Sequence, residues 1–250
     1  MAEGLLKDDI RTDWVTIDVA DGTTMPAYVA KPAGSGRFPG LMVFQEAFGV
    51  NAHIRDVTER FARQGYMAVA PTLFHRTDAK VEGSYTDFST MMPHMQAITD
   101  DGLVADSSAA FAWLTAAAGG GCDAVGSIGY CLGGRVSFLT DLSVPVKCSV
   151  SFYGGGIGPN QQGRPNLLER AADLHAPILL IWGGLDGHIG PDKRGAIEAA
   201  LTAADKEYTN VVFSKADHGF YCDVRASHNP VASVHAQALT LSFLATYLKS

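Results

Sequence analysis

Short apolar segments alternate along the chain with longer segments of helical character, and Gly or Pro separates them. The first set comprises residues 40–44, 51–64 and 66–70, in the order strand, helix, strand. Four later apolar runs are bounded by turn residues and are short enough to be buried strands of a parallel sheet. These are residues 124–129, 147–152, 177–182 and 209–213. The pattern therefore predicts repeated βαβ units.

The remaining segments add helices, a hairpin and one long loop. Helices are predicted at residues 100–118, 132–142, 191–204 and 229–248. Residues 13–19 and 25–31 flank Asp21-Gly22 and predict an antiparallel hairpin at one sheet edge. Residues 74–95 predict an irregular loop that lies over a site and contacts substrate. We expect an α/β fold with a mostly parallel, doubly wound sheet and helices on both faces.

Composition and charge restrict the class of protein. The 250 residues, 47% hydrophobic, suffice for one large core, and we expect a single domain over residues 1–250. The net charge of -7 disfavours nucleic acid and anionic membranes as partners. Residues 1–14 lack the apolar stretch of a secretory signal, and residues 107–122 are too weakly apolar to span a bilayer. We therefore expect a cytoplasmic protein without a membrane segment.

The cysteines lie far apart, with no C-x-x-C pair. They are Cys122, Cys131, Cys148 and Cys222. This spacing predicts neither a zinc site nor a disulfide framework, and it favours a reducing compartment. A nucleotide site is also disfavoured, because the glycines at 119–121 precede a predicted strand and do not open a helix. We expect no metal and no cofactor.

The strongest chemical signal is Gly129-Tyr-Cys-Leu-Gly-Gly134, between a predicted strand and a predicted helix. This is the nucleophile-elbow pattern, with Cys131 where serine is commoner. Flanking glycines let the strand and the helix approach closely around a strained turn. A helix start also favours negative charge on sulfur. A buried structural cysteine in a glycine-rich turn is the competing interpretation.

An elbow nucleophile needs an acid and a histidine later in the chain, each after a later strand. Asp186 follows the predicted strand 177–182, and His218 follows the predicted strand 209–213. Both positions lie at the carboxyl edge, where ligands bind in open α/β sheets. Asp217 and His188 are competing assignments, but each is displaced from the strand end. The joint placement predicts a Cys131, Asp186 and His218 triad.

A third feature is the loop that begins at Gln45, directly after the predicted strand 40–44. Such a loop supplies one oxyanion donor, so we expect the N–H groups of Leu132 and Ala47 to form the oxyanion hole. Glu46 has two interpretations. It is either a carboxylate that satisfies nearby donors or a group that exchanges a proton with Cys131.

Several motifs together resemble the dienelactone hydrolase family over nearly the whole chain. They lie at residues 45–51, 55, 64–66, 70–71, 129–134, 184–186 and 217–220. The resemblance implies an α/β-hydrolase fold, with Cys131 as nucleophile, His218 as general acid and base, and Asp186 as its orienting carboxylate. It also implies that Glu46 changes position when substrate binds, first holding the thiol neutral and then taking its proton.

The chain departs from the family members that cleave dienelactone, which resemble one another in holding the substrate carboxylate with two arginines. Cys222 stands where the second arginine is expected, and Arg225 follows three residues later. The remaining candidates to contact an anion are Arg225, Arg76 and Arg55. For Arg55 we favour a role in helix packing. Candidate pocket residues are Phe48, Arg76, Tyr85, Tyr153, Tyr221 and Arg225. Core packing is an equal alternative for the aromatic residues.

From these residues we expect a metal-free hydrolase that cleaves a small ester or lactone through an acyl-cysteine intermediate. Its partner is a small-molecule substrate, and the sequence leaves the oligomeric state open. A general carboxylesterase or thioesterase is the alternative among enzymes. A catalytically silent hydrolase fold that binds a ligand is the alternative outside them, because a fold does not prove activity.

Overall fold

A computed structural model of the protein describes residues 9–159 and 163–249. Contacts divide the chain into two compact units, Met1–Gly126 and Ser127–Ser250. The expected single domain over residues 1–250 therefore stays a prediction. Most of the segment 1–14, in which we expect no secretory signal, lies outside the described residues.

The first unit contains four strands in the order β1-β2-β4-β3. Their bounds are β1 Ile10–Asp18, β2 Thr24–Pro32, β3 Gly40–Phe44 and β4 Met67–Pro71. Strands β1 and β2 form the predicted antiparallel hairpin, in which Asp18 lies opposite Thr24 and Gly22 adopts a φ of 85° in the turn. Strand β2 pairs antiparallel with β4, and β4 pairs parallel with β3. Both parallel strands are entirely buried.

Helices follow the strands of this unit. They are α1 Ala52–Arg63, α2 His75–Asp78, α3 Met92–Ala97 and α4 Asp100–Thr115, with 3-10 turns at Ser89–Met91 and Ala117–Gly119. The side chains of Asn51 and Thr99 cap α1 and α4 by accepting a backbone N–H. The prediction of an irregular loop over residues 74–95 is wrong in part. Helices of four and six residues are too short to show an apolar period.

The second unit has four parallel strands in the order β5-β6-β7-β8. They are β5 Val125–Tyr130, β6 Ser149–Phe152, β7 Ile178–Gly183 and β8 Tyr208–Phe213. The α-helices are α5 Leu132–Asp141, α6 Pro191–Ala203 and α7 Pro230–Leu248, and a 3-10 helix spans Leu167–Asp173. Mostly parallel strands flanked by helices confirm the predicted α/β fold class.

Helix α7 is the one helix in the described residues that is long and apolar enough to cross a membrane. Its buried residues recur every four positions, at Ala232, Ala236, Thr240, Leu244 and Leu248. A helix that packs one face on a globular protein passes the same test of length and composition. The sequence pattern predicts this helix at residues 229–248 but does not single it out as a membrane segment. The expectation of no membrane segment stays a prediction.

Candidate active site

Cys131 lies in a strained turn between β5 and α5. Its φ of 56° and ψ of -112° lie in a region that residues other than glycine seldom adopt. A Cβ atom on Gly129 would lie 1.8 Å from the carbonyl oxygen of Gly133, and one on Gly134 would lie 2.6 Å from that of Phe152. The strand and the first turn of the helix thus touch backbone to backbone. The predicted strand–turn–helix context of the elbow is confirmed.

Exposure separates Cys131 from the other thiols. All four cysteines lie in the described residues and are unbonded to one another, and Cys131 is the only one that is not buried. Burial raises the pKa of Cys122 to about 11, and burial also raises the pKa of Cys148 well above the usual range. These thiols stay neutral and inert near pH 7, so Cys131 is the candidate nucleophile.

Asp186 and His218 form a hydrogen-bonded pair at the carboxyl ends of β7 and β8. His218 Nδ1 donates to Asp186 Oδ2 at 2.8 Å. The other carboxylate oxygen accepts the backbone N–H groups of His188 and Ile189, at 2.8 and 3.1 Å. Burial opposes ionisation of Asp186, but these hydrogen bonds, led by that from His218, lower its pKa overall. The carboxylate is held ionised beside the imidazole.

The imidazole of His218 is held in its charged form. Burial alone would lower its pKa, but the attraction and hydrogen bond of the Cys131 sulfur, together with those of Asp186, raise the pKa to about 10. Cys131, His218 and Asp186 all belong to the second unit, and the structure brings them together. A histidine that bonds a cysteine sulfur and is oriented by a carboxylate is the arrangement that activates a cysteine nucleophile.

Two glycines allow the loops that carry Asp186 and His218 to approach. A Cβ atom on Gly183 would lie 2.6 Å from the carbonyl oxygen of Ala216, and one on Gly184 would lie 2.6 Å from Ser214 Cα. The N–H of Leu185 also donates to the Ala216 carbonyl at 2.9 Å. The Gly-Gly pair is visible in the sequence, but only the packing of the two loops shows why glycine is needed there.

The competing residues occupy other places. The exposed carboxylate of Asp217 accepts the N–H of His218 at 2.6 Å, so it bonds the backbone of that residue and not the ring. The exposed ring of His188 lies 5.7 Å from the His218 ring, edge to face. The structure therefore pairs His218 with Asp186, as the strand-end argument predicts.

The predicted oxyanion donors come from two chain segments. Leu132 is the first residue of α5, and the N–H groups in the first turn of a helix have no partner within the helix. Glu46 and Ala47 follow β3 in the first unit, and both are buried. The adjacent Gln45 donates to the Glu46 carbonyl at 3.3 Å and accepts the Leu73 N–H at 3.1 Å. The roles of Glu46, Ala47 and Leu132 stay predictions.

Two predicted pocket residues in the second unit are core residues. Tyr153 is fully buried with a φ of 37°, and its ring centroid lies 5.1 Å from that of His218. Tyr221 stacks on Tyr130 with ring centroids 5.3 Å apart, and its hydroxyl donates to Gln237 of α7. Tyr153 therefore packs against the His218 ring, and Tyr221 attaches the chain that follows His218 to α7.

Arg225, the remaining predicted pocket residue of this unit, packs against the turn that follows His218. A Cβ atom on Gly219 would lie 2.3 Å from Arg225 Nη1. Gly219 adopts a φ of 74°, so it meets both a conformational and a steric demand for glycine. The contact gives Arg225 a role in holding this turn, and substrate binding by Arg225 stays a prediction.

The predicted pocket residues of the first unit are also engaged by neighbours. Phe48 packs on Tyr85 with ring centroids 4.6 Å apart, and Asn51 donates to the Tyr85 hydroxyl at 2.9 Å. Arg76 donates to Asp106 through Nη1 and Nη2 and to Asp21 through Nε, at 2.8 to 3.0 Å. Two carboxylates hold this guanidinium, and substrate binding by Arg76 stays a prediction.

Residues of the predicted substrate loop line a cavity of about 610 Å³ in the first unit. The wall includes Phe74 and residues 78–82, together with Gln45 and Arg55. Arg55 donates to the Val50 carbonyl and to Glu82, at 2.7 and 2.6 Å, which confirms a packing role for it.

A solved structure from Klebsiella pneumoniae subsp. pneumoniae MGH 78578, described as a "Putative Dienelactone Hydrolase", resembles this chain with a TM-score of 0.86 and 32% identity. The likeness covers 95% of this chain and 99% of that one. Together with the strand order and the elbow, it defines this protein as an α/β hydrolase that acts on carboxylic esters.

The model of the Dienelactone hydrolase family matches residues 25–248, and the chain belongs to that family. A Synechocystis sp. protein named "Putative carboxymethylenebutenolidase" is 33% identical over 96% of this chain and 99% of its own length. A Bradyrhizobium sp. protein named "Probable 2-oxo-3-(5-oxofuran-2-ylidene)propanoate lactonase" is 27% identical over 96% of both chains. The resemblance inferred from the motifs is confirmed.

Proposed function

We propose that the protein hydrolyses a small ester or lactone through Cys131, His218 and Asp186, with an acyl-cysteine intermediate. The observation that carries the proposal is the position of the His218 ring, which bonds the buried Asp186 carboxylate at 2.8 Å and also bonds the sulfur of Cys131, the one cysteine that is not buried. Proton transfer from this sulfur to the ring supplies a nucleophile and an acid at the same time.

The first half-reaction transfers the acyl group to sulfur. The Cys131 thiolate attacks the substrate carbonyl carbon, and the resulting oxyanion accepts hydrogen bonds from Leu132 N–H and, as the loop position predicts, Ala47 N–H. When the carbon–oxygen bond breaks, the proton on His218 passes to the leaving oxygen. Loss of one oxyanion donor costs about two to three orders of magnitude in rate in related chemistry.

The second half-reaction returns the enzyme to its starting state. The neutral His218 takes a proton from water, the hydroxide attacks the acyl-cysteine, and the carbon–sulfur bond breaks. The products are a carboxylic acid and an alcohol, and the thiolate and imidazolium are restored. Asp186 orients the ring and stabilises its charge in both halves.

The family resemblance implies a different acceptor for the Cys131 proton, namely Glu46 in place of His218. In that alternative the thiol is neutral at rest and ionises only with substrate bound, so it would be less exposed to oxidation. A Glu46→Gln variant keeps the shape of the side chain and removes its basicity. We expect it to lower kcat more than it raises KM, and an unchanged kcat would remove Glu46 from the mechanism.

We further propose that the enzyme acts in the cytoplasm on a small molecule without a metal or cofactor. The acidic net charge and the four unpaired cysteines support this setting. A lactone is one candidate because a relative carries a lactonase name. A general ester is the other, since a buried cysteine, Cys222, stands where a substrate-binding arginine is expected.

The test is hydrolysis of short aryl esters, alkyl thioesters and unsaturated lactones by the wild type, Cys131→Ala and Cys122→Ala. Circular dichroism checks the fold of each. We expect activity to vanish only in Cys131→Ala, and the rank order of substrates separates a lactonase from a general esterase or thioesterase. Equal activity in Cys131→Ala would refute the triad, and ligand binding without turnover in the wild type would favour a silent binding protein.

A further inference from the structure

A second cavity, of about 250 Å³, lies in the second unit between the segment after β6 and the start of α6. Its lining includes Gly154, Ile157, Pro159, Ile189, Lys193 and Ala196. A cavity of about 150 Å³ accepts benzene, so this volume has room for a phenyl group or a short alkyl chain. Its rim is exposed to solvent at Pro159, Asp192 and Ala196, so a ligand can enter it.

Three contacts place this cavity beside the triad. The N–H of Ile189, in its wall, donates to Asp186 at 3.1 Å. Lys193 Nζ donates to the carbonyl of His188 at 2.7 Å, and the His188 ring lies 5.7 Å from the His218 ring. The wall of the cavity is therefore connected by these contacts to Asp186 and, through His188, to His218.

The opposite wall approaches the nucleophile helix. A Cβ atom on Gly154 would lie 3.0 Å from the backbone nitrogen of Arg135, in the first turn of α5. Arg135 is itself 1% exposed, and it donates to the carbonyls of Gly156 and Pro165 at 2.9 and 3.2 Å. A buried guanidinium fixes the segment that forms this wall, so the cavity is formed before any substrate binds.

We infer that this cavity binds the apolar alcohol portion of the substrate, which is the leaving group of the first half-reaction. The inference rests on the proposed function. His218 must protonate the leaving oxygen, so the leaving group lies on the imidazole side of the carbonyl, and the contacts of Ile189 and Lys193 connect this cavity to that side. Its walls are mainly apolar, and its two charged side chains, Asp192 and Lys193, are of opposite sign, with the Lys193 ammonium bonded to a carbonyl, so the group it fits is uncharged.

Ala196→Leu tests the inference because a larger side chain at this position fills the cavity. Ala199→Leu is the matched control, since Ala199 is an exposed alanine of the same helix that does not line the cavity. Substrates are acetates of methyl to hexyl alcohols, which vary the leaving group. A second set, methyl esters of acetic to hexanoic acid, varies the acyl group.

We expect Ala196→Leu to lower kcat/KM for hexyl acetate by about tenfold or more, and to change methyl acetate and methyl hexanoate less than about twofold. Ala199→Leu should change none of them. An unchanged hexyl acetate rate, or an equal loss for methyl hexanoate, overturns the inference. Deacylation should be the same in all three proteins, because the alcohol has left by then.

Direct binding separates this inference from the proposed function. In the wild type, 1-hexanol should shift the methyl resonances of Ile157, Ile189 and Ile197, and Ala196→Leu should abolish the shift while Ala199→Leu retains it. Absence of the shift in the wild type overturns the cavity assignment whatever the chemistry at Cys131. A shift together with full ester hydrolysis by Cys131→Ala would instead refute the triad alone.

Discussion

Among the residues that the structure describes, two buried carboxylates each bond a histidine ring at nearly the same distance, one in each unit, through Nδ1 of His218 and Nε2 of His75. His218 bonds Asp186 at 2.8 Å in the second unit, and His75 bonds Asp106 at 3.0 Å in the first. Both carboxylates are almost completely buried, with exposures of 1% and 0%. By distance and burial alone, either pair could be part of a triad.

The third partner makes the difference. Asp106 also accepts two hydrogen bonds from the Arg76 guanidinium, so its charge is already compensated, and the His75 side chain is enclosed at 1% exposure. His218 is 15% exposed, and on its other side it meets the sulfur of Cys131. A histidine–carboxylate pair can take part in catalysis only where a nucleophile lies next to the histidine and substrate can reach it.

Replacing each histidine by glutamine should give the largest difference in activity between the two pairs. His218→Gln should lower kcat/KM by about three orders of magnitude or more, because no group remains to hold the thiolate and protonate the leaving oxygen. His75→Gln should stay within about threefold of the wild type, since Gln can still donate to Asp106. Steady-state kinetics on one aryl ester measures both, and comparable losses would show that the pairs are not functionally distinct.

The carboxylates should separate activity from stability. Asp186→Asn should lower kcat by about 10²- to 10⁴-fold with a modest stability change, because the ring loses its orienting charge. Asp106→Asn should leave kcat nearly unchanged but lower the free energy of unfolding by about 3 kcal/mol, since it breaks a buried ion pair. Urea unfolding beside kinetics checks the two, and the reverse pattern would contradict our assignment.

The contribution of charged His218 to the free energy of unfolding should depend on pH. Its pKa of about 10 exceeds the ordinary 6.5, so the stabilisation from its charged form is fully present below about pH 6.5 and is lost as pH rises through about 10. Cys131→Ala removes the largest cause that raises this pKa, and the pKa should fall toward the ordinary value. Side-chain ¹⁵N NMR measures it, and a pKa unaffected by Cys131→Ala would rule out the ion pair.

The smallest expected effect belongs to Arg76. Arg76→Gln should lower the free energy of unfolding by about 2 kcal/mol, because the buried Asp106 loses two charge-assisted hydrogen bonds. KM for anionic and neutral esters should stay within about twofold of the wild type. A selective rise in KM for anionic esters would instead show that Arg76 binds the substrate.

The elements whose residues carry strong local signals were predictable from sequence. Strand β3 is found at the predicted residues 40–44, and α1 at Ala52–Arg63 lies within the predicted segment 51–64. The elbow was equally clear because glycine is required on both sides of Cys131. Asp186 and His218 followed from a topological rule, since parallel strands bring their carboxyl ends to one edge.

What the sequence did not show depends on long-range packing. The ring of Tyr153 packs against that of His218, and Arg76 bonds Asp106, which is 30 residues away along the chain. A tyrosine or arginine near a site has the same sequence signature whether it faces substrate or a buried partner. The role of Arg135, which holds the wall of the second cavity, was missed for the same reason.

The acyl-cysteine is the central claim, and mass spectrometry tests it most directly. His218→Gln, or the wild type quenched in acid, is mixed with a 4-nitrophenyl ester and then digested. We predict that the mass of one acyl group appears on the peptide that contains Cys131, and on none that contains Cys122, Cys148 or Cys222. An acyl group on another residue, or turnover with no acylated peptide at any quench time, would contradict the account.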